Sequence, residues 1–82
     1  MITPNTGIGA ITTATLRTMR AKLDEAAAIA RAAEGCAADG QPRRALGIAL
    51  DVEPLAVEAN RLLQGLAILS RVAWEDQREM GD

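Results

Sequence analysis

From Thr13 to Gln77 the chain reads as helix almost throughout, and one interruption, Ala38-Asp39-Gly40-Gln41-Pro42, divides that stretch nearly in half. Glycine supplies the left-handed residue that commonly ends a helix, and a proline just beyond it suits the first turn of the next. Two long helices joined by so short a connection must run back along each other, so the break predicts an antiparallel helical hairpin.

The first helix is expected over residues 13–38, with the hydroxyl of Thr12 or Thr13 placed to cap it. At about 100° per residue, Leu16, Met19, Leu23, Ala26, Ala27, Ala30, Ala33 and Ala37 share one face. That face tapers from large side chains to alanine, which predicts the closest helix approach near 30–37. The opposite side carries Arg17, Arg20, Lys22, Asp24, Glu25, Arg31 and Glu34. Its pairs Arg20–Asp24, Lys22–Glu25 and Arg31–Glu34 have the spacing of ion pairs along a solvated face.

Beyond Pro42, the segment 43–50 holds Ala45, Leu46, Ile48, Ala49 and Leu50. It is apolar nearly all round and is expected to be mostly buried. Asp51-Val52-Glu53-Pro54 marks a second break or kink, since Pro54 disfavours helical geometry at the residue before it. Residues 43–77 are therefore either one bent helix or two. The last helix, 54–77, has Leu55, Ala59, Leu62, Leu63, Leu66, Leu69 and Ala73 on one face. A second apolar stripe, Val57, Gly65, Ile68 and Val72, lies well away from the first. Two stripes mean a helix packed on two sides.

Composition explains why the second stripe matters. The chain has 17 alanines in 82 residues, neither Phe nor Tyr, and Trp74 as its one aromatic. Alanine favours helix but contributes little buried area. A chain of this length buries only somewhat more than ~60% of its unfolded surface, and small domains are usually reinforced by disulfides, metal or association. Cys36 is the only cysteine and there is no histidine. An internal disulfide is thus excluded and a structural zinc site has no ligand set. Association remains. The expected fold is all-α: a hairpin of long helix, short or kinked middle helix and long C-terminal helix, forming a helical bundle completed by dimerisation. Its parts are a flexible arm (1–11), a helical domain (12–78) and a frayed tail (79–82). The expected interface residues are Ile29, Cys36, Val57, Gly65, Ile68, Val72 and Trp74.

Chemistry has little to draw on. Without histidine there is no Ser–His or Cys–His pair, and the carboxylate pairs sit at exposed faces or element ends. No catalytic residue, metal or cofactor is expected. Nine basic and eleven acidic residues, net −2, are well mixed and leave no footprint for nucleic acid. No apolar run approaches the ~20 residues of a membrane span. The absence of a secretory pattern at the start, with the unpaired cysteine, points to the cytoplasm.

Two local resemblances bear on function. Ala49-Leu50-Asp51-Val52-Glu53-Pro54, followed by Glu58-Ala59 and Leu62-Leu63, resembles the junction between successive tetratricopeptide repeats. The spacing from Gly40 to Pro54 is about one helical turn shorter than that family's, and the chain cannot hold the three repeats a solenoid needs. Gly47, Leu50, Val52 and Val57, with Asp51 at the turn, resemble the buried positions of a helix-turn-helix. The recognition helix would then present Leu55, Ala56, Glu58 and Ala59, poor donors to bases or phosphates. The function expected is therefore non-catalytic, exerted through self-association and protein–protein contact. A small helix-turn-helix DNA-binding regulator is the alternative.

Overall fold

The computed structural model describes residues 4–81, with side chains described from Gly7 to Glu75. Among these residues three helices follow one another: α1 (Pro4–Ala38), α2 (Pro42–Ala49) and α3 (Val52–Gly81).

The end of α1 satisfies its last carbonyls through a left-handed glycine, with Gly40 at φ 83°. The Gly40 N–H donates to the Ala37 carbonyl (3.0 Å) and the Gln41 N–H to the Cys36 carbonyl (3.1 Å). This is the paired pattern of a Schellman cap. Pro42 then opens α2, where its missing N–H costs nothing. The Gln41 carbonyl accepts the first α2 bond, from the Ala45 N–H at 3.0 Å.

α2 and α3 form one bent rod. Pro54 has no N–H to give the Leu50 carbonyl, so that carbonyl takes the Glu53 N–H instead (3.1 Å), while the Asp51 N–H goes to Ile48 (3.0 Å). The ladder tightens to three-residue spacing around the break and then resumes. Both helices lie along α1 and scarcely touch each other.

The molecule measures 63 × 21 × 16 Å, two helices wide and one deep. Its radius of gyration is 18.7 Å, against about 12 Å for a globular chain of this length.

The seam follows a heptad rhythm. On α1, the partly or fully buried row is Ile8, Thr12, Thr15, Met19, Lys22, Ala26, Ile29, Ala33 and Cys36. On α2 and α3 it is Ala45, Ile48, Val52, Leu55, Ala59, Leu62, Leu66, Leu69 and Ala73, with no slip across the break. Steps of three and four alternate along both rows, as positions a and d of an antiparallel pair require. The Lys22 Nζ–Glu58 Oε2 ion pair (2.7 Å) ties the rows together. Its register sets Met19 level with Leu62, Ala26 with Leu55 and Ile29 with Val52. The residues buried outright, Ala33, Ala45, Leu55 and Ala59, all belong to the half nearer the turn. Alanine can be buried between two helices only where their backbones approach closely.

Several expectations are corrected. The packed face of α1 is rotated from the one expected: Met19, Ala26 and Ala33 are common to both, but Leu16 and Leu23 stay exposed, at 44% and 49%. Alanines on every side of α1 give no contrast to fix its rotation, and the leucine row of α3 selects the face it meets. Residues 4–11 extend α1 as helix, where Pro4, Gly7 and Gly9 suggested an irregular arm; residues 1–3 lie outside the described residues. Adding a turn to an existing helix gains a hydrogen bond per residue without a new nucleus. Thr12 accordingly caps nothing; its hydroxyl donates to the Ile8 carbonyl (2.7 Å) within the helix. Of the tail, 79–81 continue α3, and Asp82 lies outside the described residues. α2 is not mostly buried either, because it meets α1 alone. Ala45 and Ile48 face the seam while Leu46 and Leu50 are each 69% exposed.

Candidate interaction surface

With the seam at a and d, each helix has two flanks. On one flank lie the g positions: Ile11, Thr18, Glu25 and Ala32 of α1, and Arg44, Asp51, Glu58, Gly65 and Val72 along α2 and α3. Lys22, at a seam d position beside this flank, is the charged residue of the described α1 row. Its four-carbon stem lies in the contact and its ammonium reaches out to Glu58. The hydrogen bond to Glu58, the charge of Glu58 and, more weakly, that of Glu25 hold the Lys22 amine above its ordinary value of 10.5, against a small opposing effect of burial. The sequence-expected partner Glu25 is thus replaced by Glu58 across the hairpin. Arg20–Asp24 does pair along α1, at 3.8 Å and well exposed.

The other flank follows each d position. It is Leu16, Leu23, Ala30 and Ala37 on α1, facing the same way as Ala49, Ala56, Leu63 and Ser70. No charged residue occupies it.

The residues expected at an interface fall in different places. Ile29 and Cys36 lie half-buried in the seam against α2 and α3. The Cys36 thiol points to the Gln41 carbonyl (3.6 Å), a weak contact that joins the helix end to its cap. Val57, Ile68, Val72 and Trp74 are exposed large apolar side chains, and Gly65 is exposed with open space beside it. Trp74, at 66% exposure, borders a shallow open depression with Ser70, Arg71 and Glu75. Leu16, Leu23, Leu46, Leu50 and Leu63 are exposed as well, where their sequence pattern places them in packed faces. For Leu63 the signal is present in the three–four rhythm of α3, which leaves it out of step with its neighbours.

The segment resembling a helix-turn-helix takes another arrangement. That motif needs its two helices packed on each other at roughly 90–120°, whereas α2 and α3 both lie along α1. Among the described residues, no three His, Cys, Asp or Glu side chains gather as a metal could use. No described helix is long and apolar enough to cross a membrane. The chain matches no protein-family model, and no curated protein and no solved structure is significantly similar to it.

Proposed function

We propose that this protein is a non-catalytic self-association module, a hairpin that completes its core against a second copy and acts through protein–protein contact. One observation carries the reading. Among the described residues only Ala33, Ala45, Leu55 and Ala59 are buried and none is completely shut off from water, while ten large apolar side chains are exposed. Burying a Leu, Ile or Val contributes about 1.5–3 kcal/mol, so leaving nine of them and Trp74 largely exposed forgoes much of the apolar burial this chain could gain. The hairpin supplies the secondary structure and a thin alanine-rich contact, and association supplies the remaining apolar burial. The free Cys36 thiol fits a reducing compartment such as the cytoplasm.

Folding coupled to association makes stability depend on concentration. Thermal unfolding followed by circular dichroism should show a midpoint that rises steadily between about 1 and 100 μM chain. It should change little with added salt, since the exposed surface is apolar. A midpoint independent of concentration over that range would remove the proposal.

A further inference from the structure

We infer that the second copy docks on the charge-free flank, where Leu16, Leu23 and Ala30 of α1 lie beside Ala56 and Leu63 of α3, giving a four-helix homodimer. The inference rests on the self-association reading above and adds the face and the stoichiometry.

Area sets the stoichiometry. A folded monomer of 8.6 kDa is expected to expose about 4,700 Å², and this hairpin exposes 6579 Å², a surplus of about 1,900 Å². A standard interface takes about 800 Å² from each partner, and obligate homodimers take about 1,000–2,500 Å². One second copy, laid along the length of the hairpin, accounts for the surplus.

Charge selects the face. In a two-fold dimer the same patch meets itself. The g flank would bring Glu25, Asp51 and Glu58 of each copy together, six carboxylates against two Arg44 guanidinium groups and two Lys22 amines that are already paired within their own chains. The opposite flank holds alanine, leucine and one serine, so its copy meets it without burying an ion. Small residues there let the two hairpins approach closely, as four-helix packing needs.

The test compares both faces by sedimentation at about 50 μM, well above the micromolar range where dimers of this size commonly assemble. Leu23→Glu and Leu63→Glu should convert a dimer to a monomer, and Ile68→Glu should leave it dimeric. Because an uncovered hairpin can lose its fold, thiol labelling gives a second reading on the intact assembly. In a Cys36→Ser background, Ala30→Cys and Ala56→Cys should react at least about tenfold more slowly than the outward-facing Ala28→Cys, and faster on dilution. A dimer that breaks on Ile68→Glu, with Ala30→Cys and Ala56→Cys fully reactive, would overturn the choice of face and leave self-association standing. A wild-type monomer throughout would overturn both.

Discussion

At the scale of single residues, Gly40 and Lys22 hold the hairpin in its shape. Gly40 adopts φ 83°, a conformation that costs any L side chain, though no neighbour would clash with an added Cβ. Gly40→Ala should therefore cost about 1 kcal/mol in urea unfolding, purely through the backbone. Gly35 lies inside α1 with open space beside it, so Gly35→Ala should stabilise by about 0.5–1 kcal/mol. Equal effects from the two would contradict the left-handed cap. Lys22 is the one lysine of the chain, and there is no tyrosine. Its amine is held above 10.5 in the folded hairpin by Glu58. A raised amine contributes stability that is fully present below the unfolded value and is lost as pH climbs through the folded one. Thermal midpoints of Cys36→Ser protein should thus fall as pH rises above 10.5, and Glu58→Gln should flatten that fall. An unchanged slope in Glu58→Gln would show that the cross-hairpin pair contributes nothing.

At the scale of elements, legibility followed contrast. The turn at 39–41 and the bend before Pro54 could be read because glycine and proline act through their own backbones. The α3 row was also readable, Leu63 apart, because its leucines stand out among polar neighbours. The rotation of α1 could not be read: alanine lies on all sides, so Leu16 and Leu23 marked a face that α3 does not use. Lys22 looked like a surface charge because its partner, Glu58, is distant in sequence and close only once the register is set. The rotated seam has its own consequence. Ala33 is buried between the helices, so Ala33→Leu should overpack the contact by about 1–3 kcal/mol. Ala28 faces outward, and Ala28→Leu should stay within about 0.5 kcal/mol of wild type. Leu55→Ala, at the most buried leucine described, should cost about 2–4 kcal/mol. Chemical denaturation of the three variants orders them; a neutral Ala33→Leu would return the seam to the Leu16–Leu23 face.

At the scale of the whole molecule, shape and energetics say the same thing. A body 63 Å long and one helix deep has no interior in which to place large side chains. What the hairpin has in abundance is ordered apolar surface. Of the residues expected at an interface, Val57, Gly65, Ile68, Val72 and Trp74 are exposed and Ile29 and Cys36 belong to the seam, but the face proposed for the second copy is another one. Leu16, Leu23, Ala30 and Ala37 on the charge-free flank of α1 have the sequence pattern of a hairpin core and are exposed in the hairpin. The same residues that looked like the inside of the hairpin are, on this reading, the inside of a dimer.

Sedimentation equilibrium of the unmodified chain, from about 1 to 100 μM, tests that claim most directly. A mass approaching about 17 kDa, twice the 8.6 kDa chain, is expected at the upper end, unaffected by salt. A constant 8.6 kDa species, helical and cooperatively folded across the whole range, would contradict it.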